Sequence, residues 1–218
     1  MNAIMVLWLF VTPILAAALL FGLAGRVDLP FVWVGIGVTL TAGVATALVI
    51  DEDLARERLR PGPGGLDRRM PAQCLPALLA HLIVAGLDAR CGWSGPVPVW
   101  LKTLGAAGLA GGMATLVISL AHNRFFSPVV RVQAERGHRV VTSGPYALVR
   151  HPGYAGALLA LPSAALTLGS YWSALPLAVV ALLIVRRAAI EDAFLLRELD
   201  GYSAYAARVR YRLVPFLW

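Results

Sequence analysis

The chain has 218 residues, a formal net charge of +7, 59% hydrophobic residues and only 14% charged residues. Soluble domains carry about 25% charged residues, so this composition excludes an ordinary soluble domain and indicates an integral membrane protein. The basic residues are almost all arginines in the polar connections between apolar runs, so no basic face remains and nucleic-acid binding is not expected.

Apolar runs long enough to cross a bilayer predict membrane-spanning helices. In chain order these runs are Met1–Gly25, Pro30–Ile50, Pro71–Leu87, Val97–Ala121 and Ala155–Val185. The first run lacks the basic start and the cleavage site of a secretory signal, so we interpret it as a spanning helix. The last run is too long for one crossing of a ~30 Å hydrocarbon core at about 1.5 Å rise per residue.

Three arginine-rich regions set the expected orientation: the connection after the second run, the connection after the fourth run, and the C-terminal tail. The positive-inside rule places all three in the cytoplasm, so the last run must turn back, and Gly169–Ser173 supplies the turn. We therefore predict an all-α polytopic bundle of six apolar helices with both termini cytoplasmic. The last two helices form a hairpin that either spans or re-enters the membrane. The Arg- and Ala-rich chain looks bacterial, which predicts the inner (cell) membrane.

The polar stretch Asp51–Met70 predicts an interfacial helix as far as Leu59, broken by the Pro and Gly residues that follow. It is either an orientation-setting loop or a part of the wall of an active site. Cys74 and Cys91 lie near opposite ends of one apolar segment, so we expect neither a disulfide nor a metal site.

The segment Gln133–Tyr154 is basic, polar and rich in turns, which suits a charged, hydrogen-bonding ligand at a membrane surface. It resembles the cofactor segment of the isoprenylcysteine carboxyl methyltransferase family, whose pattern is a Gln, then His-x-L/V-V-T-S-G-x-Y, then R-H-P-x-Y. The matching residues here are Gln133, His138-Arg139-Val140-Val141-Thr142-Ser143-Gly144, Tyr146 and Arg150-His151-Pro152-Gly153-Tyr154. A second element of the family stands in the tail as Arg187, Glu191, Gly201-Tyr202, Tyr205, Arg208-Val209, Arg212-Leu213 and Pro215.

The resemblance implies that S-adenosyl-L-methionine is the cofactor and that residues 98–218 form the cofactor-binding half of one membrane domain, after N-terminal helices and a basic loop in residues 1–97. The implied cofactor-binding residues are Gln133, His138, Arg139, Val140, Val141, Tyr146, Arg150, His151, Pro152, Gly153, Tyr154 and Glu191. Arg187 and Glu191 are implied as the catalytic pair, with Arg187 holding the substrate.

The residue types suit that cofactor. Arg150 and His151 can meet its carboxylate, Glu191 can accept from its ribose hydroxyls or face its ammonium, and the tyrosines offer flat faces to adenine or the sulfonium. Plainer interpretations remain: headgroup anchors, interfacial tyrosines, or an ion pair between Arg187 and Glu191 four residues apart. A shift of one residue would transfer these roles to Arg186 and Asp192.

The function expected from the resemblance is methyl transfer to a lipophilic acceptor at the membrane, most like carboxyl methylation of an isoprenylcysteine-type substrate. The alternatives are methylation of a phospholipid amine or a small thiol, an NADPH-dependent membrane reductase, and a membrane protein without catalysis. The stretch Gly105–Gly112 can pack helices within one chain or between two, so a homo-oligomer is possible.

Overall fold

The computed structural model describes the backbone of residues 3–218 and the side chains of residues 10–218; the start of the first apolar run, Met1 and Asn2, lies outside the described residues. Within this range the fold is all-α. Its helices are α1 (Ala3–Ala24), α2 (Pro30–Val49), α3 (Glu52–Leu59), α4 (Met70–Cys91), α5 (Val99–His122), α6 (Pro152–Leu168), α7 (Ala174–Glu198) and α8 (Tyr202–Arg208). Short 3₁₀ turns lie at Ala134–Arg136 and Gly144–Ala147.

The six apolar helices expected from the sequence are α1, α2, α4, α5, α6 and α7, which confirms the helical bundle. Among the described residues, α2, α4 and α5 are long and apolar enough to cross a membrane, while Phe10–Ala24 and α6 are shorter apolar segments. The chain is therefore a membrane protein with a compact helical core.

Helix α7 continues well beyond Val185, where the apolar run ends, to Glu198. Hydropathy alone does not reach this half of α7, but the four-residue spacing of Arg187 and Glu191 implied a helix there, and polar partners stabilise it. Arg187 and Asp192 on this half are both buried and hydrogen-bonded. The extension carries the predicted site residues of α7 beyond the apolar run, and Arg187 lies against Asp67 in the loop after α3.

The expected turn between α6 and α7 is present at Gly169–Ser173. Gly169 ends α6 in the left-handed region, with φ of 68°, a conformation that favours glycine. The hydroxyl of Ser173 donates to the carbonyl of Ser170 at 3.0 Å, and both serines are buried. These local bonds satisfy the backbone where the chain reverses and confirm the helical hairpin.

Glycines of α5 allow α6 to approach closely. A Cβ on Gly112 would lie 2.5 Å from the carbonyl oxygen of Gly156, and a Cβ on Gly105 would lie 2.7 Å from the amide nitrogen of Thr167. Small residues at such positions let two helix backbones pack in direct contact. Of the two uses expected for Gly105–Gly112, packing within one chain is therefore the one observed.

Helix α3 begins where the sequence predicts, since the carboxylate of Asp51 accepts from the backbone N–H of Leu54 at 2.7 Å as an N-cap. It ends at Leu59, and the loop that follows pairs with a distant segment through an antiparallel bridge between Leu66 and Val130. The helix is thus confirmed, and its loop lies against residues 129–131, just before the predicted cofactor segment. Cys74 and Cys91 are both free, as expected.

Candidate functional site

A polar cleft opens where the connection between α5 and α6 meets the second half of α7 and helix α8. Counted out to its mouth, the free space is about 720 Å³, but the cavity volume within it is only about 60 Å³. The lining includes Asn123, Phe125, Phe126, Ser127, Val129, Val130, Arg131, His138, Arg139, Val140, Val141, Tyr146, Arg150, His151, Gly153, Tyr154, Glu191, Leu195, Leu199, Tyr202 and Tyr205. A nucleoside-sized ligand would occupy mainly the open part or require side chains to shift.

Most of the residues predicted for the site line this cleft, and three do not. Gln133 is buried behind the wall, where its side-chain nitrogen donates to the carbonyl of Phe125 at 2.7 Å and its oxygen accepts from Arg136. Pro152 is buried at the first turn of α6. Arg187 is buried just beyond Tyr154. These three shape or support the cleft and do not border it.

Tyr154 joins the two predicted catalytic residues. Its hydroxyl donates to the carboxylate of Glu191 at 2.6 Å and accepts from the Nε of Arg187 at 2.7 Å. Arg187 also lies 3.6 Å from the carboxylate of Asp67. Arg187 and Glu191 therefore do not form the direct helical ion pair that their spacing allows. Each is instead hydrogen-bonded to the hydroxyl of Tyr154. The other oxygen of Glu191 remains available on the cleft side.

Asp192 is the central anion beneath the cleft and is fully buried. Its two carboxylate oxygens accept from the Nε and Nη2 of Arg150 at 2.7 and 2.9 Å, from Tyr202 at 2.9 Å and from Arg212 at 2.8 Å. His151 lies 3.4 Å away. This network ties α6, α7 and the C-terminal tail together, so Asp192 is a structural partner and Glu191 is the acidic group that faces the cleft.

Arg150 is held more tightly than the sequence suggests. Besides its two bonds to Asp192, its Nη1 donates to the backbone carbonyls of Val209 and Arg210, both at 2.9 Å. Four of its five N–H groups are therefore used, since a guanidinium has five. One N–H remains for a ligand, so Arg150 contributes mostly positive charge and fixed geometry to the cleft.

His138 is a neutral residue of the cleft wall. Its ring stacks on Phe125 with centroids 4.5 Å apart, and its Nδ1 lies 3.2 Å from the backbone N–H of Gln133. Burial lowers the pKa of His138 to about 4. Because Nδ1 accepts a hydrogen bond, the ring proton is on Nε2, which leaves a donor in the wall at neutral pH.

Helix α3 is attached to the cleft wall by two ion pairs, of which the one between Glu57 and Arg131 is buried. The two carboxylate oxygens of Glu57 accept from the Nε and Nη2 of Arg131 at 3.0 and 2.6 Å, and Asp53 accepts from Arg136 at 2.6 Å. Burial alone would raise the pKa of Glu57, but the bonds from Arg131 and Ser127 outweigh it and hold that pKa below its usual value. The loop after α3 is thus part of the site's scaffold.

A second, apolar cavity of about 680 Å³ lies among the helices beside the cleft. Residues from α1 to α7 line it, and we call it the chamber. The lining is Thr12, Pro13, Ala16, Thr39, Ala42, Gly43, Thr46, Ile50, Arg58, Leu59, Leu78, His81, Leu82, Leu109, Met113, Leu116, Val117, Ala160, Leu161, Ala164 and Leu177. The sequence predicted a lipophilic substrate but did not identify this cavity.

Comparison with known proteins bears on the half of the chain that builds the cleft. Residues 106–197 match the model of the isoprenylcysteine carboxyl methyltransferase (ICMT) family. Through this segment the chain is similar to the ICMT family. All the predicted site residues, from Gln133 to Glu191, lie inside the matched range.

Two curated relatives of the ICMT family align with this chain. They are probable protein-S-isoprenylcysteine O-methyltransferases of Oryza sativa subsp. indica and Oryza sativa subsp. japonica, each 35% identical over 102 residues. The alignment covers 43% of this chain and 50% of each relative. The chain therefore matches about half the length of these relatives.

Several residues of the cleft were not predicted as site residues. Phe125 and Phe126 follow α5, while Tyr202 and Tyr205 come from α8. The two tyrosines stand in the Gly-Tyr-x-x-Tyr element of the tail, which was a signal for them, and the hydroxyl of Tyr205 donates to the carbonyl of Tyr146 at 2.7 Å. No comparable signal marks the phenylalanines, because two adjacent aromatics at a helix end are equally typical of a membrane interface.

Proposed function

We propose that this chain is an S-adenosyl-L-methionine-dependent membrane methyltransferase that methylates a lipophilic acceptor, most like the carboxylate of an isoprenylcysteine-type compound. The observation that carries the proposal is the linked group of Arg187, Tyr154 and Glu191 between a polar cleft and a lipid-sized apolar chamber. The match of residues 106–197 to the ICMT family model supports the same activity.

The chemistry of the cleft suits the proposed cofactor. S-adenosylmethionine carries a sulfonium, an ammonium, a carboxylate, ribose hydroxyls and an adenine, so its pocket needs an anion, donors and flat apolar faces. Glu191 offers a carboxylate oxygen to the ammonium or the ribose, and His138 and the remaining N–H of Arg150 offer donors. Phe125 and Phe126 border the same space with aromatic faces.

The cofactor, when bound, supplies an electrophilic methyl group on a positively charged sulfur. The residues of this chain align the acceptor with that group and exclude water. A carboxylate acceptor is already ionised at neutral pH and needs no general base. Tyr154 keeps Glu191 in place with a short hydrogen bond, while the aromatic wall reduces the water around an incoming anion and so makes it more reactive.

The chamber supports access of the acceptor from the membrane. Its lining is apolar apart from a few side chains, and three of the helices that line it, α2, α4 and α5, are long and apolar enough to cross a bilayer. A lipophilic tail would lie there while the soluble cofactor enters the cleft from the arginine-rich side of the protein. We take that side as cytoplasmic because arginines are retained there by the positive-inside rule.

Transfer of a radioactive methyl group tests the proposal. Purified protein in detergent is incubated with methyl-labelled S-adenosylmethionine and a total lipid extract, and label in the organic phase is counted. We expect labelled lipid with the wild type and a loss of at least about 100-fold with Glu191→Gln. Glu198→Gln on the exposed face of the same helix is the matched control and should keep full activity.

A wild-type protein that transfers no label to any extract would count against the methyltransferase, as would equal activity of the two glutamine variants. Addition of NADPH in place of the methyl donor is the arm that detects the reductase alternative. Neither the family match nor the two relatives favours that alternative.

A further inference from the structure

Among the described residues that line the chamber, one has a charged side chain, Arg58 of α3. The rest of the lining is apolar, except for threonines and His81, whose Nδ1 is paired with the carbonyl of Ser173 at 3.0 Å. A guanidinium beside an apolar cavity is costly unless an anion accompanies it. The surroundings of Arg58 therefore indicate what the chamber is built to hold.

Arg58 has no carboxylate within ion-pair distance among residues 10–218. Its Nη1 donates weakly to the carbonyl of Phe126 at 3.3 Å, and its guanidinium lies 5.5 Å from the centre of the Phe126 ring. Burial lowers the pKa of Arg58, and the nearby Arg187 cation contributes to the same shift. An arginine nevertheless stays protonated at neutral pH, so the positive charge persists without a partner.

The neighbouring acidic residues do not neutralise Arg58. Glu57, next in the chain, is fully engaged by Arg131, Ser127 and the N–H of Gly62. Asp53 is engaged by Arg136 and Arg124. These same bonds fix α3 on the cleft wall, so Arg58 is held in position by carboxylates that leave its own charge unmatched.

Arg58 stands where the chamber meets the cleft. Phe126, which carries its hydrogen bond and its ring contact, lines the cleft, and the Phe126 ring is 6.4 Å from that of Tyr154. Leu116 lines the chamber and packs in the same cluster as Phe126. A headgroup bound at Arg58 would therefore lie at the end of the chamber nearest Tyr154 and Glu191.

We propose that Arg58 is a substrate-binding residue that holds the anionic headgroup of the acceptor at the junction of the chamber and the cleft. The proposal rests on the proposed function and adds to it a residue on α3, outside residues 106–197 that carry the family match. It assigns the chamber an occupant of stated chemistry: a single apolar tail that ends in a carboxylate. It also gives α3 a role in selecting acids over neutral or cationic amphiphiles.

The test compares two probes of equal tail length and shape, palmitic acid and palmitamide. Their binding to the full-length protein in detergent is measured by isothermal titration, with S-adenosylhomocysteine titrated in parallel. We expect the wild type to bind the acid about 10- to 100-fold more tightly than the amide, as a hydrogen bond to a charged group implies. Arg58→Gln should lose this preference, and Arg58→Lys should keep part of it.

Arg56→Gln is the matched control. It removes the same charge as Arg58→Gln, and Arg56 lies on the exposed side of the same helix. It should retain the preference for the acid, and all three variants should bind S-adenosylhomocysteine within about twofold of the wild type. Equal binding of acid and amide to the wild type, including no binding of either, would overturn the role of Arg58. So would an unchanged preference in Arg58→Gln. Absence of S-adenosylhomocysteine binding to the wild type would instead overturn the proposed function.

Discussion

The cleft and the chamber differ in whether their charged side chains have counter-ions. Beneath the cleft, the fully buried Asp192 is matched by Arg150, Arg212 and Tyr202, so its charge is compensated within the protein. At the chamber, Arg58 has no such partner among the residues whose side chains the structure describes. The difference teaches that burial alone does not mark a functional group: a compensated charge stabilises the fold, whereas an uncompensated charge beside a cavity is available to a ligand.

Removal of the compensating anion should cause the largest effect. Asp192→Asn keeps the shape of the side chain but leaves Arg150 and Arg212 without their counter-ion, which we expect to lower the free energy of unfolding by about 3–5 kcal/mol. Thermal denaturation in detergent measures it. Asp200→Asn, at an exposed position just after α7, is the control and should change little. Equal melting temperatures for the two variants would show that the network beneath the cleft is not structural.

The seam between α5 and α6 supports both regions, and its disruption should destabilise them together. In Gly112→Ala the new Cβ would lie 2.5 Å from the carbonyl oxygen of Gly156, so we expect a loss of about 1–3 kcal/mol from overpacking. In Gly111→Ala the nearest atom, on Leu159, is 3.9 Å away. The Gly111→Ala substitution should leave the free energy of unfolding unchanged or raise it slightly, because alanine favours a helix. A smaller loss of stability in Gly112→Ala than in Gly111→Ala would contradict the close packing of α5 on α6.

The smallest expected effect concerns the neutral histidine of the cleft wall. Burial lowers the pKa of His138 to about 4 from an ordinary value near 6.5, so the unfolded chain binds the proton first as the pH falls. The stability that His138 contributes is complete above pH 6.5 and is lost between pH 6.5 and 4. We expect a change on the order of 1 kcal/mol after allowance for partial exposure.

Melting curves between pH 7 and 5, compared with those of His138→Gln, isolate this effect. The pKa values of Asp53 and Glu57 are held below their usual values, so these carboxylates titrate mostly at lower pH. The wild type should lose more stability than the variant over this interval. Parallel curves would show that His138 is not buried as a neutral residue.

Hydropathy and the arginine distribution correctly predicted the six apolar helices and the hairpin, because both are properties of the sequence alone. The hairpin turn at Gly169 and the N-terminus of α3 followed from residue types that favour a turn or a cap. The end of α7 did not, since its polar half is stabilised by partners far away in sequence, such as Tyr154.

The ordered pattern of the family predicted that Tyr154 and Glu191 lie close enough to bind one cofactor, and the structure brings their side chains within 2.6 Å. The sequence could not indicate which of two adjacent carboxylates faces the cleft, because that depends on the rotation of α7 against α6. It could not single out Arg58 among the arginines of the α3 segment either. Arg58 stands out because the carboxylates of its own helix, Glu57 and Asp53, are bonded to other arginines. Only the packed structure shows those bonds.

The central claim is that Glu191 faces a nucleoside cofactor. Isothermal titration of S-adenosylhomocysteine into the detergent-solubilised wild type and into Glu191→Gln tests it most directly. We expect one molecule to bind per chain to the wild type, and binding to the variant to be weaker by at least about tenfold, as loss of a charge-assisted hydrogen bond requires. A wild type that binds no S-adenosylhomocysteine, or a variant that binds it equally well, would contradict the claim.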